Sequence, residues 1–546
     1  MKVESHRRWD AECTLVGQIA AGISLLTLLV FLQRHELLLY GDAVAHTNIA
    51  RRIFDSRTPG ILQLGTVWLP LPHLLILPFI VSDVAWRSGI GGAIPSMVAY
   101  VLGTIAIFRL VRESLTYDEK PKAYARIAAW AAALVYAANP NLIYMQVTAM
   151  TEPLYLAWFL WALVHFNEFI QQVQAANIDQ AHKSLLKCGL CVAGATLTRY
   201  DGWFLAAVLC LACAVVIMGT SQRKALLSPL LKFASIVIAG PALWLVYNHI
   251  IYGDALEFSR GPYSAQAIQQ RVVLSGFPAY PGLRNPLVAL LYFFKAAQQI
   301  MADGQLQKIW TLCLLAGVIL LLTLHRHRWP LLFLLLPIPF YMLSISYGSV
   351  PVCFPEWWPF SYYNVRFGLE LLPAFAVFAG IFLHWALFAA SKPGIRSGVG
   401  CAAIFLIAGS YAFVWRSQPI CFREAQANSR SRLALETELA STLLRIPAES
   451  TILMYLGDHV GALQDAGIPL RRTINEGNHR PWKRPDDPEG LWERALADPK
   501  QYADAVITIG DDPVAKRVSR QDLTSVAVIR TNGQPPATVY WTHPVR

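Results

Sequence analysis

The chain has 546 residues, of which 55% are hydrophobic and 15% charged, with a formal net charge of +11. Long apolar runs at that density exclude an ordinary soluble enzyme and indicate a polytopic membrane protein. Ser417–Arg546 holds 16 Lys/Arg and 16 Asp/Glu, so the basic excess lies in the short turns of the membrane part. That is a topology signal and not a nucleic-acid footprint.

Lys2, Arg7 and Arg8 precede the first apolar run, roughly 15–32, in the manner of a signal-peptide n-region. The run is long enough to span. The polar Gln33-Arg34-His35-Glu36 also separates it from the A-x-A of Ala43-Val44-Ala45, which favours an uncleaved first span. Further spans are expected near 93–111, 123–139, 153–170, 185–199, 203–218, 230–251, 308–324, 329–347, 367–389 and 398–416, about eleven in all. The basic turns Arg109/Arg112/Lys120/Lys122, Lys183/Lys187, Arg223/Lys224/Lys232, Arg326/Arg328 and Lys392/Arg396 then share one side with the N-terminus. By the positive-inside rule that side is cytoplasmic.

The other side carries the long connections. The first, 33–92, contains Asp42 and the short, Pro-interrupted apolar stretch Trp68-Leu69-Pro70-Leu71-Pro72-His73-Leu74-Leu75, which suits the membrane interface. The second, 252–308, includes an expected interfacial helix near Pro286–Met301. The third, 346–365, is dense in aromatics and proline, and suits an interfacial belt or a groove for lipid or sugar equally.

Cys188-Gly189-Leu190-Cys191 and Cys210-Leu211-Ala212-Cys213 have nearly zinc-ribbon spacing, yet both lie inside apolar runs and read as buried thiols. Cys353 and Cys421 both fall outside, where pairing is open to them. After Trp415 the composition changes abruptly. Helix is expected over Phe422–Arg445 and Val460–Ala466, and strand over Thr451–Leu456, Ala505–Ile509, Val526–Ile529 and Thr538–Trp541. The expected division is a membrane module, 1–416, and a small α/β domain, 417–546, outside the membrane. No G-x-G-x-x-G, Walker A or catalytic-triad pattern is present.

Acids at outer span ends are few. Asp42 opens a helix-like run with apolar Ala45, Ile49 and Ile53, which makes it a helix N-cap or a fixed catalytic carboxylate; His46 would share its face. Glu152, in Thr151-Glu152-Pro153, starts a span where an acid suits the helix dipole. Arg199 and Asp201 lie in one short outer turn and are able to satisfy each other. Arg366, at the outer start of a span, has Glu370 four residues on as a local partner, but its fork also suits a phosphate. His73 and Lys295 are weaker candidates, read first as interfacial anchors. A site outside the cytoplasm lacks nucleotide-activated substrates, so an activated group would arrive on a lipid phosphate.

In these stretches the sequence resembles the GT-C superfamily of integral-membrane glycosyltransferases, near the protein-mannosyltransferase-like and aminoarabinose-transferase-like branch. The likeness rests on Gly41-Asp42 through Arg51-Arg52, Trp68 through Leu75, Met150 through Pro153, Leu197 through Gly202, and Arg366 through Pro373. It implies a polytopic α-helical GT-C-like fold with a small C-terminal extracytoplasmic α/β domain. It also implies inverting transfer from a polyprenyl-phosphate sugar, mannose being the commonest, to a lipid, glycan or protein acceptor. No cofactor, metal or nucleic acid is expected, and the bilayer expected is a bacterial-type inner membrane. Asp42 takes the position of the general base and Glu152 that of a second acid; Arg366, Arg199 and Tyr363 become donor or phosphate contacts, with His46, His73 and Asp201 as further site candidates. One departure matters: relatives often carry two adjacent acids in the first loop, whereas Ala43 follows Asp42 here. A transporter or lipid flippase is the alternative, although transporters favour paired halves and midplane charges. A ligase or polymerase passing on a whole glycan would keep the same outer site.

Overall fold

The computed structural model describes residues 10–116, 122–324, 326–457, 459–478, 488–518 and 523–543. Lys2, Arg7, Arg8 and Lys120 lie outside them. The chain forms two compact units. One comprises Met1–Phe31, Pro95–Ala242 and Ala265–Glu424, the other Leu32–Ile94, Leu243–Ser264 and Ala425–Arg546.

All eleven expected spans fall on helical stretches. Among the described residues, eight helical segments are long and apolar enough to cross a membrane, which makes the chain an integral membrane protein. The helices Lys122–Ala137, Glu152–Gln174 and Ile178–Thr196 are not among the eight. The first has 16 residues; the others carry polar residues such as Asn167, Glu168, Lys183 and Lys187.

The first unit is helical and its helices meet through small residues. Water does not drive apolar helices together inside a bilayer, so close backbone approach has to supply the contact. Lys122–Ala137 buries Ala125, Ala128, Ala129, Ala132 and Ala133. A Cβ on Gly380, in the helix Leu372–Ala389, would stand 3.2 Å from the Ala128 carbonyl oxygen. A Cβ on Gly317, in Leu306–Leu324, would lie 2.1 Å from the Phe378 carbonyl oxygen. Two features of this unit matter for the site. Gly202 lets the turn after Ile178–Thr196 close tightly, since a Cβ there would lie 2.4 Å from the Ala195 carbonyl. Asn364, in the left-handed region at φ 54°, turns the chain into the 3₁₀ segment Val365–Leu371.

The second unit combines the first-loop helices Gly41–Arg52, Pro70–Ile76 and Asp83–Ser88 with a five-stranded sheet. The strands β1 (Ile452–Leu453), β2 (Thr473–Ile474), β3 (Ala505–Ile509), β4 (Thr524–Ile529) and β5 (Ala537–Trp541) lie in the order β2-β1-β3-β5-β4. β1 runs parallel to β2 and β3, while β5 is antiparallel to β3 and β4. β3 reads Ala-Val-Ile-Thr-Ile and is buried throughout, as a central strand covered on both faces should be. Edge strand β4 is half exposed. Leu453, Ile474, Trp492, Leu496, Val506 and Val514 build the core on one face. β2 and the helix Leu491–Ala497 are absent from the sequence-based expectation, because two strand residues and a two-turn helix carry too little periodicity.

Arg51 ties the first loop together. Its guanidinium donates to Asp55 (2.9 Å), Asp83 (2.5 Å) and the Ile80 carbonyl (2.8 Å), and lies 4.7 Å from the Trp86 ring centroid. Asp55, fully buried, also accepts the Leu470 and Arg471 backbone N–H groups at 3.2 Å each. One guanidinium and one carboxylate thus tie together a loop built of short helices.

Gly317→Val places branched carbons where the Phe378 backbone now stands. Overpacking of this kind costs about 1–3 kcal/mol. The variant should melt below wild type in detergent, as read by fluorescence-detected size exclusion after heating. An unchanged melting temperature would show that this glycine is not needed for the helix contact.

Candidate functional site

The first unit gathers charges from the ends of several helices into one buried cluster. Arg199 follows the helix Ile178–Thr196, and Asp201 opens the helix Asp201–Met218. Arg199 Nε donates to both Asp201 oxygens at 3.2 Å. Its Nη1 donates to Thr151 Oγ1 (3.0 Å) and Glu152 Oε1 (3.2 Å), and its Nη2 to the Tyr341 hydroxyl (2.9 Å). Tyr341 in turn donates to Asp201 Oδ2 at 3.1 Å. Glu152 Oε1 also accepts from Arg366 Nε at 3.1 Å, so a single carboxylate oxygen serves two guanidiniums. Arg366 is flanked on its other side by Glu424, whose Oε1 lies 3.5 Å from Nη1. The Phe367 ring lies between the two arginines, 5.1 Å from Arg199 and 5.3 Å from Arg366.

Glu370 completes the cluster at 3.8 Å from Arg199 Nε. The sequence offered it as a helical i+4 partner of Arg366. The segment is 3₁₀, however, where residues four apart do not stack, and Glu370 faces Arg199 instead. Glu152, Asp201, Glu370, Glu424 and Tyr341 are all at least 95% buried. Four carboxyl groups face two guanidiniums, and buried charge must be compensated. Asp201 and Tyr341 also border a cavity of about 10 Å³, roughly the size of one water.

Asp42, His46 and His73 belong to the second unit. Asp42 is not the N-cap. Tyr40 occupies that position without a side-chain hydrogen bond, and the helix begins at Gly41. Asp42 therefore sits inside the first turn, half-buried, where the helix dipole favours a carboxylate. One turn on, buried His46 hydrogen-bonds through Nδ1 to His73 Nε2 at 2.9 Å, and its ring lies 4.9 Å from Trp68. Burial, then His46 and Arg52, push the His73 imidazole well below its usual pKa, so it is neutral.

In the segment 346–365, Tyr363 pairs with Cys353 through its backbone and is itself exposed. Tyr292 packs against Phe354 and Trp357 and donates to the Trp358 carbonyl at 2.6 Å. Lys295 pairs with Glu356 at 2.7 Å. Cys353, Cys421 and the four cysteines of the C-x2-C pairs are free thiols. Among the described residues, no group of three His, Cys, Asp or Glu is placed to hold a metal ion.

Thr151, Tyr341, Glu370 and Glu424 are the members of the cluster that sequence reasoning did not select for a site. Tyr341 reads as one more aromatic in an apolar span, and Glu424 as part of the tail helix. Only a phenol in the outer half of an otherwise apolar helix hinted at a buried polar partner.

No family model and no curated protein matches the chain in sequence. Among solved structures, ArnT from Cupriavidus metallidurans bound to undecaprenyl phosphate is 13% identical, with a TM-score of 0.58 over 96% of this chain and 98% of that one. The fold is GT-C. The apo form of the same ArnT (12% identity, TM-score 0.47, coverage 91% and 93%) is also similar. So is an Archaeoglobus fulgidus oligosaccharyltransferase (12% identity, TM-score 0.48, coverage 93% and 70%).

Two measurements test this geometry. Glu152→Gln strips two buried guanidiniums of their shared anion, and breaking such a pair costs about 3–5 kcal/mol. Thermal unfolding should shift accordingly, and a shift no larger than that of an exposed Glu→Gln control would contradict the shared-anion geometry. His73 gives a pH signature. Its folded pKa is depressed, so its contribution to stability is complete above the unfolded pKa of about 6.5 and is lost as pH falls below it. The slope there reaches about 1.4 kcal/mol per pH unit for one proton. Melting between pH 7.5 and pH 5.5 should show this loss in wild type, and less of it in His73→Asn.

Proposed function

We propose that this protein is a glycosyltransferase that takes a sugar from a polyprenyl-phosphate donor and passes it to an acceptor outside the cytoplasm. The observation that carries the reading is the fold match over nearly the whole of both chains to ArnT, whose structure holds undecaprenyl phosphate. The buried arginine–carboxylate cluster at span ends adds chemical support, since buried ionisable groups in membrane proteins commonly mark substrate sites.

The proposed reaction is direct displacement with inversion. The acceptor oxygen attacks the anomeric carbon, its proton passes to Asp42, and the bond from that carbon to the phosphate oxygen breaks. Lipid phosphate is a good leaving group, so charge stabilisation matters more than a strong acid. Arg366 is the proposed phosphate contact. Its pairing with Glu424 is the longer one, at 3.5 Å, and is the partner a phosphate would replace. Arg199 and Glu152 hold the cluster in shape, since each Arg199 nitrogen already meets a protein acceptor. His46, fixed by His73 and Trp68, holds the helix face behind Asp42. Asp42 acts as the base without an adjacent acid, because Ala43 follows it. The N-terminus is assigned to the cytoplasm and the α/β domain, 417–546, to the outside of a bacterial-type inner membrane, where that domain would serve the acceptor.

The test is purified protein in liposomes with labelled undecaprenyl-phosphate mannose and related lipid-linked monosaccharides. Wild type should release undecaprenyl phosphate, and Asp42→Asn should lower transfer by about 10²-fold or more. Near-normal transfer by Asp42→Asn removes Asp42 as the base. Movement of the lipid across the bilayer without release would make the protein a flippase.

A further inference from the structure

The helix that carries Asp42, Gly41–Arg52, is held by an arginine at each end. Arg51 anchors its C-terminal end within the first loop. At the other end the partner comes from far along the chain. Arg432, in the helix Ile420–Leu443, donates through Nη2 to the carbonyl oxygens of Leu38 (3.1 Å) and Leu39 (3.0 Å). Its Nη1 is held by Glu436 Oε2 at 2.5 Å, and its side chain is only 12% exposed. Between the two ends, Gln464 accepts from Asn48 and donates to the Trp86 carbonyl, each at 2.7 Å. All of these residues lie in one compact unit.

The carbonyls of Leu38 and Leu39 precede the helix and so have no place in its hydrogen-bond ladder. Leu37, Leu39 and Tyr40 around them are buried. Removing the donor would leave these acceptors short of a partner in a largely dry place. A planar fork is well suited here, taking a carboxylate on one nitrogen and two carbonyls on the other. Glu436 is itself backed by the segment after β1. A Cβ on Gly461 would lie 2.4 Å from its Oε2, and His459 Nδ1 stands 3.9 Å from its Oε1.

We propose that Arg432 is a positioning residue for Asp42, fixing the backbone that leads into the helix and so giving the C-terminal domain control over the catalytic carboxylate. This rests on the reading of Asp42 as the base. The linkage runs from the β1 loop through Glu436 and Arg432 to Leu38 and Leu39, then three residues on from Leu39 to Asp42.

Hydrogen exchange and turnover of the full-length protein, with undecaprenyl-phosphate mannose and related lipid-linked monosaccharides as probes, test it. In Arg432→Gln, amides of Gly41–His46 should exchange about tenfold faster while those of β3 stay protected. Turnover should fall about tenfold, with the donor KM within about twofold of wild type. Arg432→Lys, which keeps the charge but not the fork, should recover part of both. Unchanged exchange at Gly41–His46, or equal acceleration across the sheet, overturns the proposal. So does faster local exchange with full turnover. If wild type releases no lipid phosphate from any donor, the glycosyltransferase reading and the control of catalysis fall together, while exchange still shows whether the clasp exists.

Discussion

The constraint on which the membrane unit depends is that charge buried among apolar helices must be answered by charge. Glu152 Oε1 is where that constraint is met, shared between Arg199 and Arg366. Each partner comes from a different part of the chain: the start of one helix, the turn between two others, and a 3₁₀ segment ahead of a fourth. Removing any one leaves the others desolvated without compensation. The cluster therefore locks helix ends in register, and in the proposed reaction it also holds Arg366 for the phosphate.

The second unit uses the same device with different parts. Arg51 and Arg432 grip the two ends of Gly41–Arg52, and buried Asp55 receives backbone donors from the segment before β2. A loop with short helices and few ladder hydrogen bonds has little stability of its own. Guanidinium forks supply several directed contacts per side chain, which suits a segment that joins several short helices. The role proposed for Asp42 needs this kind of rigidity, since displacement by about 1 Å can cost 10²-fold in rate.

The sequence was most legible where the physics is periodic. Apolar runs marked the helical stretches, and the short stretches Ala505–Ile509 and Thr538–Trp541, rich in β-branched and aromatic residues, marked the strands at the middle of the sheet. Legibility fell where structure is short or exceptional. β2 has two residues, and Val365–Leu371 takes 3₁₀ geometry that turns Glu370 from Arg366 toward Arg199. Asp42 lies two positions past the cap, because the helix already begins at Gly41 with Tyr40 before it.

By itself, then, the sequence determined that this is a polytopic membrane protein with ionisable residues at the ends of its apolar runs. Those properties follow from hydropathy, span length and residue type, which are local. Only the tertiary structure decided which charges meet. Arg199, Glu152, Tyr341, Arg366 and Glu424 are scattered over nearly three hundred positions, and no local pattern encodes their convergence. Their pairing is set by the close approach of helices at small residues and by the cost of leaving any buried charge without an answer.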